Sequence, residues 1–288
     1  MDLRSNNYFI SGVLFRNIAE SGNGGALFLS RISINVSLIC NSFEWCRLTD
    51  SASTGGAIFA YANSVLLEKF VFERCYAYDS GSAFHVRQNS RSISASSFSI
   101  SKTYRTEYNI IQDVFYVHST KENTVKNGNM SECRIKQSYI FCLYPPRGVK
   151  SYVSFMNFEH IDTPTDGICY FAYSAELRNC NFFHLTGRTL FNTENNPMVD
   201  LLQCSFFEVL VSIKVSGDSY RFSYSGCSIP NSTLATLLEV SNYTVDLTIN
   251  GVKVNQACSD SKTPSISSSA VNLGIILVFI NISSSKQY

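Results

Sequence analysis

The strongest constraint on the fold of this chain is a short glycine motif that recurs along its N-terminal third. Residues 23–28 (NGGALF) return as residues 54–59 (TGGAIF) and, more weakly, as residues 80–85 (SGSAFH). A second motif pairs residues 180–185 (CNFFHL) with residues 204–209 (CSFFEV). Recurrence at an interval of a few tens of residues is typical of a solenoid, in which each repeat is one unit that stacks on its neighbours.

A ladder of anchor residues, mostly phenylalanine, extends this period along the chain. Its members, separated by 23 to 32 residues, are Phe15, Phe43, Phe72, Phe98, Met130, Phe158, Phe182, Phe206, Ile229 and Val252. Three residues after them comes a second column, mostly apolar or cysteine: Ile18, Cys46, Cys75, Ser101, Cys133, Ile161, Leu185, Val209, Ser232 and Asn255. Apolar residues at a spacing of two surround the anchors, which predicts three short strands per repeat. We therefore expect an all-β parallel solenoid of about ten rungs; the alternative is an all-β sandwich.

The glycine motif and the Phe-x-x-Cys motif together resemble the repeats of polymorphic outer membrane proteins and of related β-helix surface proteins in bacteria and protists. The resemblance spans residues 8–255, with its sharpest motifs in residues 15–85. It implies a right-handed parallel β-helix, the pectin-lyase-like solenoid, together with a cell-surface or extracellular location and an adhesive or antigenic role. Where the bacterial motif reads Phe-x-x-Asn, this chain has Ile18, Cys46 and Cys75.

The predicted β-helix occupies residues 7–255, and a Ser-rich linker (256–269), a short apolar segment (270–282) and a polar tail (283–288) follow it. The apolar segment is shorter than the roughly 20 residues that a membrane-spanning helix needs. We expect it to be either a partial membrane anchor or a strand that caps the open end of the solenoid. Residues 1–20 place charges among short apolar runs, so we do not expect them to be a signal peptide.

Charge and cysteine content narrow the classes of function. The formal net charge is +1, and a chain without a basic excess is not expected to bind nucleic acid. Of the ten cysteines, Cys180, Cys204 and Cys227 each stand two residues before an anchor, and Cys46 and Cys75 each stand three after one. Both sets should stack in columns with parallel side chains, a geometry that disfavours disulfides. We expect these cysteines to be small buried apolar residues.

Two groups of polar residues are candidate sites. Asp50 and Asp79 each follow an anchor by seven residues, and carboxylates on adjacent rungs can bind calcium or act as an acid–base pair. The alternative for both is capping of their own turns. His160, His184 and Glu208 each follow an anchor by two residues, and such a column could share a proton or hold a metal. Because this position falls at a turn, the alternative is a solvated polar stack.

The sequence predicts a non-enzymatic, adhesion-type surface protein that binds glycans or cell-surface proteins. Membrane association through residues 270–282 is a further expectation, and no cofactor or metal is predicted. The alternatives are a carbohydrate-active β-helix enzyme, either a polyuronide lyase or a glycoside hydrolase, and a fragment of a longer surface antigen. Outward loops are expected in residues 102–150, where the repeat fits worst, and such loops often carry a binding surface.

Overall fold

The structure, a computed structural model, describes residues 6–50, 52–88, 93–103, 113–194, 198–216, 221–228 and 265–267. Every helix or strand in these ranges is a β-strand, and every pairing between strands is parallel. Together they form a β-solenoid of about seven turns. This confirms the predicted all-β parallel β-helix, and the sandwich alternative is wrong because a sandwich pairs its strands antiparallel.

Strands that lie at a corner are short, and strands that continue around a corner from one face to the next are long. They are β1 (Asn6–Ser11), β2 (Leu14–Arg16), β3 (Ala19–Glu20), β4 (Leu27–Ile39), β5 (Ser42–Glu44), β6 (Arg47–Leu48), β7 (Ile58–Glu73), β8 (Phe84–Gln88), β9 (Ile93–Ser101), β10 (Phe115–His118), β11 (Asn123–Ser131), β12 (Phe141–Tyr144), β13 (Ser151–Phe171), β14 (Ala175–Arg178), β15 (Asn181–Thr193), β16 (Met198–Leu202), β17 (Ser205–Ser216), β18 (Arg221–Ser225) and β19 (Ser265–Ser267).

Each turn contributes strand segments to three faces, here named A, B and C. Face A starts with β1, which pairs with residues 34–39 of β4. Face B starts with β2, which pairs with β5. Face C starts with residues 27–31 of β4, which pair with residues 58–62 of β7. Alternation of side chains along each strand therefore sends one set into the coil and the other set to its surface.

Two of the corners carry left-handed backbone at the same position in turn after turn. Between faces A and B these residues are Gly12, Cys40, Lys69, Ser97, Asn127, Phe155, Asn179, Gln203 and Gly226. After face B they are Asn17, Trp45, Arg74, Lys102, Glu132, His160, His184 and Glu208, with φ between 51° and 56°. Left-handed backbone costs an ordinary residue about 1–2 kcal/mol. The repeated hydrogen bonds between turns, such as the Asn17 amide to the Glu44 carbonyl at 2.9 Å, offset that cost.

The anchor ladder forms the inner side of face B. The buried ring of Phe43 stacks between Phe15 and Phe72, at centroid distances of 4.9 and 4.8 Å. The ladder continues with buried Met130, Phe158, Phe182 and Phe206, as predicted. These stacked side chains give the coil a continuous apolar interior.

One anchor was placed wrongly. Phe98 pairs in register with Phe70, and Ile100 takes the position between Phe72 and Met130. The two positions lie on the same side of the strand and both are buried, so apolar periodicity could not separate them. The second column shifts with the anchor, and Thr103 replaces Ser101 in it.

The cysteine columns are confirmed. Cys46 and Cys75 lie in one buried column, and Cys180, Cys204 and Cys227 lie in another. Each thiol donates to a carbonyl of the preceding turn, as in the bond from Cys204 Sγ to the Leu177 oxygen at 3.4 Å. These five are free, as are Cys133, Cys142 and Cys169. Cys40, which stands at a corner outside both columns, is disulfide-bonded.

The described solenoid is shorter than the predicted ten rungs. The anchors Ile229 and Val252 and the apolar segment 270–282 lie outside the described residues. Strand β19 falls within the predicted Ser-rich linker and pairs in parallel with β2. In the described part of the chain, no helix is long and apolar enough to cross a membrane.

Candidate functional site

A row of aromatic rings runs along the outer surface of face C. We name it the outer aromatic row and define it as Phe28, Phe59, His85, Tyr116, Tyr144 and Tyr170. Successive ring centroids are 5.4, 5.2, 4.4, 5.1 and 4.9 Å apart. These distances follow the spacing of about 4.8 Å between neighbouring strands, so the backbone sets the period of the row.

Strand alternation explains why these rings face outward. Within β8, Phe84 points into the coil and stacks on Phe115, whereas the adjacent His85 joins the outer row. Phe28, Phe59, His85 and Tyr116 are successive register partners. At the next turn the register partner is Cys142, and Tyr144, two residues further along β12, supplies the ring instead.

The row is open at one end and covered at the other. Phe28 is 55% exposed, whereas His85 is 9% and Tyr170 is 4% exposed. Tyr139 packs on Tyr170 at a centroid distance of 5.0 Å and accepts a hydrogen bond from the Asn192 side chain at its hydroxyl. The outer surface of face C thus changes from a free aromatic platform at the N-terminal turns to a small second core at the later turns.

A buried carboxylate lies beside this row. Asp113 immediately precedes the face C segment of its turn, and its oxygens accept four hydrogen bonds. The donors are Ser138 Oγ, the Tyr139 amide at 3.3 Å, Cys142 Sγ at 3.0 Å and Ser80 Oγ at 3.2 Å. Burial raises the pKa of the Asp113 carboxyl, and these hydrogen bonds oppose the rise. The carboxylate ties together loops from three successive turns.

Ser80 connects this carboxylate to the aromatic row. Its hydroxyl donates to Asp113, so the Nδ1–H of His85 donates to Ser80 Oγ at 3.2 Å, and this network assigns the tautomer of the ring. Burial, with the charges of Arg87 and His118, lowers the pKa of His85 to about 4. His85 is therefore a neutral ring at pH 7 and behaves as one more aromatic member of the row.

The predicted aspartates lie in turns of the backbone. The Asp50 carboxylate accepts the Ala52 amide at 3.3 Å, and the Asp50 carbonyl accepts the Ser53 hydroxyl at 2.6 Å. The Asp79 amide donates to the Ser53 carbonyl at 3.2 Å, so Asp79 aligns with Ser53, three residues beyond Asp50. Both aspartates are exposed, and their register does not match the common column that the sequence predicted.

The predicted histidine column is assembled in space. The rings of His160 and His184 stack at 4.7 Å, and His184 Nδ1 lies 2.6 Å from Glu208 Oε2. His160 Nδ1 lies 3.4 Å from Glu159 Oε1. The side chains of His184 and Glu208 are 39% and 50% exposed, so water reaches the pair. Among the described residues, no group of three or more His, Cys, Asp or Glu side chains is arranged to hold a metal ion.

Sequence reasoning missed the outer aromatic row and Asp113. Asp113 aligns with Ser82 of the preceding turn, and Ser82 aligns with Gly56 of the turn before that. A carboxylate at a position that holds glycine or serine in earlier turns was the signal that could have revealed Asp113. The third copy of the glycine motif ends at His85, and the structure places this ring outside the coil, since Phe84 points inward.

No family model matches this sequence, and no curated protein and no solved structure matches it either. The class is therefore defined by the structure alone: a parallel β-solenoid with an aromatic row along one outer face.

Proposed function

We propose that the protein is a non-enzymatic binding protein whose outer aromatic row takes an extended glycan. The observation that carries this proposal is the unbroken contact of six rings, ending in the half-buried Phe59 and the exposed Phe28. Sugar rings present apolar C–H surfaces to water, and exposed aromatic rings bind such surfaces through apolar contact and the ring quadrupole.

The rigid backbone favours a polymeric ligand over a compact one. Rings held at about the 4.8 Å strand spacing offer a linear series of contacts, and an extended chain can lie along the solenoid axis where they are exposed. Little conformational entropy is lost because the rings are already stacked in the free protein. The free end at Phe28 is where such a chain gains most contact.

A cell-surface location and membrane association through residues 270–282 are part of the same proposal. They rest on the resemblance of the glycine and Phe-x-x-Cys motifs to polymorphic outer membrane protein repeats. The alternative form of this proposal is that the chain is a segment of a longer surface antigen.

The alternative of a carbohydrate-active enzyme has less support. Asp50 and Asp79 stand three register positions apart, and Asp50 is engaged in its own turn. His184 commits one ring nitrogen to Glu208, and both side chains are solvated.

The test is binding of the full chain to neutral hexasaccharides, such as chitohexaose and cellohexaose, by isothermal titration calorimetry. Phe28→Ala and Phe59→Ala should each weaken binding by about fivefold or more, because each removes an aromatic contact worth about 1 kcal/mol. Leu210→Ala is the matched control, since Leu210 is equally exposed at 55%. Binding unaffected by the two phenylalanine changes, or no binding to any glycan, contradicts the proposal.

A further inference from the structure

Arg87 stands beside the outer aromatic row, and none of the described carboxylates pairs with it. It lies in β8, two residues beyond His85, and its register partners on the neighbouring turns are Tyr61 and His118. The side chain is exposed at the surface of face C. Within the described part of the chain, Arg87 makes no ion pair and no hydrogen bond.

Seven other cations of the described chain are paired with acidic side chains. The ion pairs are Arg16–Glu44, Lys69–Glu68, Arg74–Glu73, Lys102–Glu73, Arg134–Asp162, Lys150–Asp200 and Arg178–Glu176. All seven of these cations stand on or next to faces A and B, away from the outer aromatic row. Arg87, by contrast, has no acidic partner among the described residues and stands next to the row.

The described neighbours of Arg87 on the adjoining turns are the aromatic side chains of Tyr61 and His118. His118 packs on Tyr144 with a centroid distance of 5.8 Å and is the register partner of Arg87. Burial and, after it, the charge of Arg87 lower the pKa of His118 and of His85. The Asp113 carboxylate, which lies nearest to His85, is buried and accepts four hydrogen bonds, and the exposed Glu194 acts on Tyr170 at the far end of the row. Arg87 therefore keeps its charge available to a ligand.

We propose that the ligand of the outer aromatic row is an anionic glycan, whose carboxylate or sulfate group binds the guanidinium of Arg87 while its sugar rings lie against the outward edges of the row. This inference rests on the proposed glycan-binding function and names the class of glycan. The planar guanidinium donates two parallel N–H bonds to a carboxylate or sulfate, which an ammonium group cannot do. A ring seated over Phe59 and His85 would place a ring substituent within reach of the side chain two residues further on.

The experiment measures four hexasaccharides against the full chain at low and at physiological salt. They are neutral chitohexaose, carboxylated hyaluronan, sulfated keratan sulfate and a heparin fragment that carries both groups. We expect the anionic glycans to bind about fivefold or more tightly than chitohexaose, with the preference falling as salt screens the charges. The affinities for hyaluronan and for keratan sulfate, compared with each other, show whether Arg87 prefers a carboxylate or a sulfate group.

Arg87→Gln should reduce the affinity for anionic glycans to that for chitohexaose and leave chitohexaose binding unchanged. Arg87→Lys should restore only part of the preference, because the fork geometry is lost. Arg178→Gln is the matched control, since Arg178 is exposed on face A and paired with Glu176.

Equal binding of neutral and anionic glycans, or a preference that survives Arg87→Gln, overturns this inference and leaves the glycan-binding function standing. Absence of binding to all four glycans overturns both. A preference that Arg178→Gln removes as well would show a diffuse charge effect and would also overturn the role of Arg87.

Discussion

Aromatic rings are stacked in two places in this molecule, inside the coil on face B and outside it on face C. Phe43 lies between its neighbours at 4.9 and 4.8 Å, and Phe28 lies 5.4 Å from Phe59. The spacing is similar because the strand spacing sets both. The surroundings differ, since Phe43 is 0% and Phe28 is 55% exposed. The same stacking thus stabilises the fold in one place and leaves a surface for contact in the other.

The largest effect should come from truncating the inner stack. Phe43→Ala removes a fully buried ring and leaves a cavity between Phe15 and Phe72, at a cost of about 3–5 kcal/mol in the free energy of unfolding. Phe28→Ala, the outer counterpart, should cost less than about 1 kcal/mol. Equilibrium unfolding in urea measures both. Similar losses for the two variants would contradict the distinction between inner and outer stacks.

His85 should give the next largest effect, because it is the point at which the outer row becomes buried. Its folded-state pKa of about 4 lies below its ordinary value of 6.5, so its contribution to stability is present above pH 6.5 and is lost as the pH falls through 4. The difference corresponds to about 3 kcal/mol. His85→Phe should remove this dependence and make the variant relatively more stable in acid.

The measurement is the free energy of unfolding from pH 7.5 to 4 for both proteins. The groups around the ring are Arg87, His118, Tyr116 and, through Ser80, Asp113, and comparison with the variant isolates the part due to His85. His184→Phe is the control, because His184 is on the exposed outer side of a corner. If His184→Phe flattens the profile as much as His85→Phe does, burial of His85 is not the cause.

Substitution of Asp113 tests whether the stability of the covered end of the outer aromatic row depends on this carboxylate. Asp113→Ala leaves four donors without their acceptor and should cost about 2 kcal/mol. Burial raises the folded-state pKa of Asp113, so its contribution is greatest below its ordinary pKa and falls as the pH rises through the raised value. The cost of the substitution should therefore be larger at pH 4 than at pH 8. Asp50→Ala, at an exposed turn, should show no such trend in the same unfolding experiment.

The smallest effect should come from the exposed histidine column. Glu208→Gln removes the charge opposite His184, and exposed pairs of this kind contribute about 1 kcal/mol or less. The thermal midpoint of unfolding should change by only a few degrees. A loss of several kcal/mol would instead indicate that the column holds the corner together.

The prediction of the fold depended on period rather than on any single motif. The cysteine columns were predictable because a residue that recurs at the repeat length must stack, whatever its chemistry. Phe98 was misplaced because Phe98 and Ile100 both point inward and either satisfies an apolar position. Register at that turn depends on hydrogen bonds to Phe70 and Met130, which the sequence does not display.

Only some residues of the candidate site could be predicted from the sequence. His160, His184 and Glu208 were brought together as expected, since they share one position of the repeat. Asp113 was not foreseen, because its donors come from Ser80, Ser138 and Cys142, far apart in the chain. Loop residues outside the period meet only when the coil closes.

The sequence by itself determined the period, the parallel stacking and the identity of the inner columns, because apolar spacing along a strand is a local property. Only the tertiary structure decided which aromatic rings lie outside, how far each is exposed, and that Arg87 beside them pairs with no carboxylate in the described ranges. The physical reason is that exposure and charge neutralisation depend on neighbours in other turns, which lie about 30 residues away in the chain and about 4.8 Å away in space.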